Sequence, residues 1–299
     1  MNAQPTGYVT RPVTELRAED LVLGYDSRVV VENLNLDVPM GRITAVVGPN
    51  GCGKSTILRA IARLLKPKGG SVLLDGHAIA RMPTKEVARR MAILPQGPSS
   101  PEGLTVERLV WHGRYPHQGF LGTSTAADAE AVAWALAQTH LESFATRLLD
   151  SLSGGERQRA WIAMALAQQT AVLLLDEPTT FLDLGHQLEV LELLAELNQT
   201  QGITIMMVLH ELNQAARYTD HMIAVHDGKI WHQGDPVEVL TEELLHEVFG
   251  VRAQVLIDEQ SGKPHCVPLA RSNGIAEQAK AALETAAQAA AGRPVGGPA

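Results

Sequence analysis

No stretch of this 299-residue chain holds the about 20 mostly apolar residues that a membrane-spanning helix requires. The apolar runs are cut short: Ala160–Ala167 stops at Gln168, Gln169 and Thr170, and Ala171–Leu175 stops at Asp176. The opening MNAQPTGYVTRPVTELRAED has no apolar core, which argues against a secretory signal. Cysteine is scarce. Cys52 and Cys266 alone cannot build a disulfide framework and fit a reducing compartment. Positive charge is in deficit: 25 Lys+Arg against 33 Asp+Glu leave a net charge of −8. That balance excludes a nucleic-acid coat but leaves room for a local nucleotide site. Internal repeats are absent. These absences together predict a cytoplasmic protein whose work at a membrane would run through a partner.

What is present is ample core material. Apolar residues make up 45% of the chain, enough to exclude wholesale disorder and to fill one large domain or two small ones. Residues 1–12 are polar and bear Pro and Gly, the texture of a flexible arm. From Val13 to Val47, β-rich runs alternate with turn residues and predict strands. After Gly53 the period changes: Ile57, Ile61, Leu64 and Leu65 fall on one helical face, ended by Pro67–Gly70. SVLLDG and MAILPQ resume strands. Residues 98–168 hold Ala, Leu and Glu at helical spacing, as in AADAEAVAWALAQTHL, and predict a helical insertion. AVLLLDEP and ITIMMVLH read as buried strands around the amphipathic HQLEVLELLAELNQT, the alternation of a parallel α/β sheet. The Ala-rich segment 269–299 has high helix propensity but few large apolar residues, and is expected to be frayed or disordered.

The sharpest local signal is the run Gly48, Pro49, Asn50, Gly51, Cys52, Gly53, Lys54, Ser55, Thr56. It is a complete G-x-x-x-x-G-K-[ST] pattern between an apolar strand and an amphipathic helix, the context that gives the pattern its meaning. The glycines let several backbone N–H groups face one centre, and the helix N-terminus adds a positive dipole end. Lys54 would bridge the outer phosphates, and the Ser55 hydroxyl would hold Mg²⁺. Cys52 lies inside this loop, so bound nucleotide is expected to shield its thiol. Downstream, the buried strand ends in Asp176 and Glu177. Neighbouring residues on a strand point in opposite directions, so Asp176 is the Mg²⁺ candidate and Glu177 the candidate base for an attacking water. These two features together indicate a nucleoside triphosphatase without saying which.

Leu152, Ser153, Gly154, Gly155 and Glu156 narrow the choice. Here the chain resembles the ATP-binding-cassette ATPases, whose L-S-G-G-Q signature lies just upstream of the acidic strand; this copy ends in Glu156 instead of Gln. The resemblance spans about Val13 to Pro268. It implies an α/β P-loop NTPase fold with a RecA-like core, an antiparallel β-subdomain and an inserted helical subdomain. It also implies a homodimer, in which Ser153, Gly154 and Gly155 of one copy face the γ-phosphate held by the other. Four more positions carry over. Tyr25 matches the aromatic against adenine, and Gln96 the residue that senses Mg²⁺ and links to the membrane partner. Asp183 matches the loop crossing the dimer interface, and His210 the switch histidine at the γ-phosphate. Glu156 is expected to point away from the phosphates. His112, His117, His221, His226 and His232 show no metal-ligand spacing.

Finer strings resemble the ATPases of ferric-siderophore importers: PEGLTVERLVWHGRYPHQG (101–119), DEPTTFLDLGHQLEVL (176–191), HELNQAARYTD (210–220) and VFGVRAQVLIDEQSGKPHCVP (248–268). His210-Glu211 replaces the more usual His-Asp. The resemblance implies an ATPase on the cytoplasmic face of the membrane, using ATP and Mg²⁺. It would act on integral permease subunits and, through them, on a periplasmic or surface substrate-binding protein, with residues 98–120 as the permease-facing surface. Haem or cobalamin import is the nearest alternative. A soluble cassette ATPase, a non-enzymatic ATP-binding module and an exporter are further ones.

Overall fold

Strand β1 (Leu16–Tyr25) alternates along its length, burying Leu16, Ala18, Leu21 and Leu23, and turns at Asp26 into β2 (Arg28–Asp37). The next strand, β3 (Ile43–Val47), is buried at all five positions and leads through the glycine-rich loop into helix α1 (Lys54–Ile61). Then come β4 (Gly69–Leu74), the short β5 (His77–Ala78), α2 (Thr84–Ala88) and β6 (Met91–Leu94). Three helices follow: α3 (Val106–His112), α4 (Ala126–Gln138) and α5 (Gly154–Ala167). The chain returns with β7 (Val172–Asp176), α6 (Leu184–Gln201), β8 (Thr204–Val208), α7 (Leu212–Tyr218), β9 (His221–His226) and β10 (Lys229–Gly234). It closes with α8 (Pro236–Val239), α9 (Glu242–Glu247) and the hairpin β11 (Val251–Ile257)–β12 (Pro264–Arg271). This computed structural model describes residues 12–99, 101–119 and 123–272. The arm through residue 11 and the Ala-rich segment from 273 onward lie outside the described residues.

Two sheets organise the molecule. Strands β2-β1-β4-β5 form an antiparallel sheet; β10-β9-β3-β8-β7-β6 form the second, in which β9 through β6 run parallel and β10 pairs antiparallel at one edge. Side chains alternate across the central strands, so the second sheet has two apolar faces. Ala45, Val47, Leu173, Leu175, Ile205 and Met207 pack on the helical layer. Val46, Val172, Leu174, Met206 and Val208 pack on α1 and the antiparallel sheet. Among the described residues, no helix is long and apolar enough to cross a membrane.

Two expectations need correction. Helix α1 ends at Ile61, short of Leu64 and Leu65. Arg63 adopts a left-handed φ of 61°, and the Arg59 carbonyl accepts from both Leu64 N and Leu65 N, which closes the helix. Leu64 is therefore 60% exposed and not a core residue. At the other end, β12 runs to Arg271, so residues 269–271 belong to a strand paired with β11 and not to a frayed tail.

A buried ion pair ties the helical segment together. Arg114 Nε donates to Asp128 Oδ1 at 2.8 Å, and Nη1 donates to the Ala167 carbonyl at 2.6 Å and to Gln169 Oε1 at 3.0 Å. Asp128 Oδ2 accepts from Thr125 N and Oγ1 at the start of α4. Burial by itself pushes the Asp128 carboxyl up, but the hydrogen bonds from Thr125 and the Arg114 guanidinium outweigh it and hold the group below the ordinary carboxylate range. Replacing Arg114 with Leu strands a buried carboxylate, and denaturant unfolding at neutral pH should show a loss of about 3–5 kcal/mol. The stabilisation from a depressed carboxyl is present above its unfolded pKa and lost as pH falls through the folded one. The gap between wild type and Arg114→Leu should therefore narrow below about pH 4.

Candidate functional site

The parallel register decides where the chemistry can sit. Val46 of β3 is level with Val208 of β8, and Val208 is level with Asp176 of β7. The chain leaves all three strands at one edge, so the glycine-rich loop, Asp176-Glu177 and Leu209-His210 emerge side by side. A cleft of about 460 Å³ opens there, lined by Tyr25, Arg28, Val30, residues of the loop and of the first turn of α1, and Glu177.

Backbone geometry makes the loop a cradle. Gly48 has φ +151°, and a Cβ on it would stand 2.2 Å from the Val225 carbonyl oxygen; Gly53, at φ +110°, would meet Val31 at 2.8 Å. Only glycine fits both places. Lys54 is buried at 5% exposure, and its ammonium donates to the carbonyls of Gly48 and Pro49 at 2.8 and 2.9 Å. A buried cation is thus parked on the loop's own carbonyls, ready to exchange them for a stronger anionic acceptor. Ser55 and Thr56 follow on the first turn of α1. Cys52 is buried, and desolvation raises its thiol pKa despite the nearby Lys54 charge.

Ser55 Oγ donates to Asp176 Oδ1 at 2.7 Å. The other oxygen, Asp176 Oδ2, is buried without a hydrogen-bond partner and lies 3.8 Å from Arg59 Nε. Burial is the main reason the Asp176 carboxyl is raised above its ordinary range, with the Ser55 bond and the Arg59 charge opposing it and Glu177 adding to it. An orphaned carboxylate oxygen beside a hydroxyl is a donor set of the kind hard divalent cations take. Glu177 sits in left-handed backbone, φ 54°, and three side chains converge on it. His210 Nε2 lies 2.6 Å from Oε1, Thr180 Oγ1 donates to Oε2 at 3.0 Å, and Gln96 Nε2 donates to the same Oε2. Gln96 is therefore brought to Glu177 and not onto the Ser55–Asp176 pair.

The remaining sequence-selected residues form a second constellation that does not line the cleft. Ser153 caps α5 in a reciprocal box: its Oγ accepts from Glu156 N at 3.3 Å, and Glu156 Oε2 accepts from Ser153 N at 2.8 Å. The Ser153 backbone bond is the chief cause that lowers the Glu156 carboxyl. Glu156 is thus engaged at its own helix end. A Cβ on Gly155 would stand 2.2 Å from His186, and one on Gly154 would be 3.4 Å from Leu182. Asp183 caps α6, accepting from His186 N and lying 2.9 Å from its Nδ1. Ser153, Gly154, Gly155 and Asp183 therefore share one face.

The ABC transporter family profile matches residues 31–180. The chain belongs to the ABC transporter family. The probable siderophore transport system ATP-binding protein YusV of Bacillus subtilis strain 168 is 55% identical over 267 residues, which covers 89% of this chain and 97% of that one. The ferric enterobactin transport ATP-binding protein FepC of Escherichia coli strain K12 is 50% identical over 264 residues, with 88% and 97% covered. Among solved structures, a bacterial ABC transporter cassette described as dimeric superposes with a TM-score of 0.65 at 26% identity, covering 74% of this chain and 98% of that one. The fold is that of the cassette P-loop NTPase.

Within this cassette, three site residues escaped the sequence reading. Arg59 lies one helical turn after Ser55, and that i, i+4 spacing was the available signal for its approach to Asp176. Thr180 follows Glu177 by three residues across a turn. Arg28 reaches the cleft only because the β1–β2 turn folds over the loop, which no local pattern announces. Since Gln can accept the same cap bond, Glu156→Gln should leave ATP turnover within about twofold and melting unchanged. Glu156→Ala should lower stability by about 1 kcal/mol. A tenfold rise in turnover for the Gln variant would show that the carboxylate acts on the nucleotide instead.

Proposed function

We propose that this cassette is the ATP-hydrolysing subunit of an importer that takes up ferric siderophores across the cytoplasmic membrane. The observation that carries the reading is the Glu177 carboxylate, held by His210, Thr180 and Gln96 beside the Ser55–Asp176 pair and on the wall of the cleft below the glycine-rich loop. Lys54 and the loop amides would hold the β- and γ-phosphates, with Tyr25 against the base. Asp176 and Ser55 would hold Mg²⁺, which neutralises phosphate charge when bound; the unpartnered Asp176 Oδ2 supports that fit. Glu177 takes a proton from water, the water oxygen bonds to the γ-phosphorus, and the β–γ bridging bond breaks to leave ADP and phosphate. His210 orients Glu177 and meets the γ-phosphate.

One copy holds half of each site. The cleft carries the loop and the base, and the Ser153–Gly155 helix start lies apart from it on the Asp183 face. Two copies arranged about a two-fold axis would bring the signature of each onto the nucleotide of the other, so hydrolysis waits for closure. The likeness to a dimeric cassette supports this arrangement. The two siderophore-transport relatives support the cargo, the peripheral location and the permease partner. Exposed Tyr115 on the 98–120 segment supports that side as the permease contact. A substrate-binding protein would meet the permease and never this chain.

Glu177→Gln should retain ATP binding, lower hydrolysis by roughly 10²–10⁴-fold, and accumulate as an ATP-bound dimer. In cells lacking the gene, wild type but not this variant should restore uptake of labelled ferric siderophore. Restoration of haem or cobalamin uptake alone would move the cargo to that class. Wild-type hydrolysis by the variant would remove Glu177 from the role of base.

A further inference from the structure

We infer that Gln187 and Gln214 are positioning residues for hydrolysis, joined in a hydrogen-bonded relay between the helix that follows His210 and the loop that follows the base. The inference rests on the reading of Glu177 as base given above. Glu177 is gripped from two directions. Thr180 reaches it from the turn after β7, and His210 reaches it from the end of β8. These two supports leave different strands, and no local stretch of chain joins them. Helices α6 and α7, which follow them, pack against each other. At that contact Gln214 Nε2 donates to Gln187 Oε1 at 2.7 Å, and Gln187 Nε2 donates onward to the Leu182 carbonyl at 3.0 Å. Leu182 N in turn donates to the Thr179 carbonyl, closing the turn that carries Thr180. Gln214 lies one helical turn after His210. The relay therefore starts beside one support of the base and ends beside the other.

Helix α7 needs such a tie. It is seven residues long, and Glu211 at its start makes no side-chain cap bond. A helix that short has little stability of its own, so its place is set by what it touches. One side is fastened to the β11–β12 hairpin. The Asn213 side chain donates to the Cys266 carbonyl at 3.1 Å and accepts from Cys266 N at 2.8 Å, and Lys263 Nζ donates to the Thr219 carbonyl at 2.8 Å. Gln214 supplies a tie in another direction, toward the loop after Glu177. The two amides are aligned donor to acceptor, and each bond polarises the next. The arrangement is kept at a cost. Gln214 Oε1 is buried without a hydrogen-bond partner among the described residues. A buried acceptor left unpaired is destabilising, and an apolar side chain of similar size would remove the penalty. An amide retained there against stability points to a use beyond the fold. The relay supplies that use, because it makes displacement of His210 and displacement of the Thr180 turn a single event.

The test is steady-state hydrolysis by the full-length chain over a series of ATP concentrations with Mg²⁺, with nucleotide-free melting recorded for each variant. Met has nearly the length of Gln and no amide. Gln187→Met and Gln214→Met should each lower kcat by about three- to tenfold, with KM within about twofold. Melting of Gln214→Met should stay unchanged or rise, because the unpaired oxygen is gone. The double variant should lose no more than the more affected single one, since either change breaks the same relay. Gln187→Glu still accepts from Gln214 but cannot donate to Leu182, and should lose as much as Gln187→Met. Wild-type kcat in the Gln187 variants, a loss that appears in KM or melting alone, or losses that multiply in the double variant would each overturn the relay. Glu177→Gln is assayed alongside. Wild-type hydrolysis by Glu177→Gln would remove the base that the relay positions, and the relay with it. An inactive Glu177→Gln beside fully active Met variants would overturn the relay alone.

Discussion

Parallel pairing of β3, β8 and β7 is the constraint on which the rest of the molecule depends. In a parallel sheet all strands finish at the same edge, and here the register sets Val46, Val208 and Asp176 in one row. The glycine-rich loop, the acidic pair and His210 are 162 residues apart at their extremes, from Gly48 to His210. They meet because each is the first chemistry after a strand end. The strands can pair this way only because both faces of the sheet are covered, one by the helical layer and the other by α1 and the antiparallel sheet. Burial on both faces explains why these strands read as unbroken apolar runs.

Charge at the site is held in reserve. Lys54 rests on loop carbonyls, Asp176 keeps an oxygen without a hydrogen-bond partner, and Glu177 is gripped by neutral donors and a histidine. Each group is desolvated or engaged at its own expense and, on the proposed reading, would gain from an incoming polyphosphate and its cation. The signature face is built in the opposite style. Ser153 and Glu156 satisfy one another in a capping box, and Asp183 is bound by His186, so that face is set before any nucleotide arrives. In the proposed two-fold arrangement, a prepared surface would meet a waiting cleft when the two copies close.

Much of this was legible in the residues. The full phosphate-loop pattern, the acids closing a buried strand and the five-residue signature are short-range motifs, and short-range geometry follows from local sequence. The capping box of Ser153 and Glu156 went unread, although S-x-x-E spacing at a helix start is a sequence signature of one. Helix α1 was read too long because its apolar period continues to Leu65 while the backbone turns left-handed at Arg63. The β12 strand was missed because Leu269, Ala270 and Arg271 look like the start of the alanine-rich segment until β11 is there to pair with them.

What the sequence determined by itself was therefore the inventory: which residues are candidates for the chemistry, and the strand or helix on which each sits. What the tertiary structure alone decided was company. Arg59 beside Asp176, Gln96 and His210 on Glu177, Arg28 over the cleft, and the separation of the signature from the cleft wall all depend on packing between segments distant in the chain. Local propensity contains no term for such distances. They follow from how the strands align and from which faces must be buried.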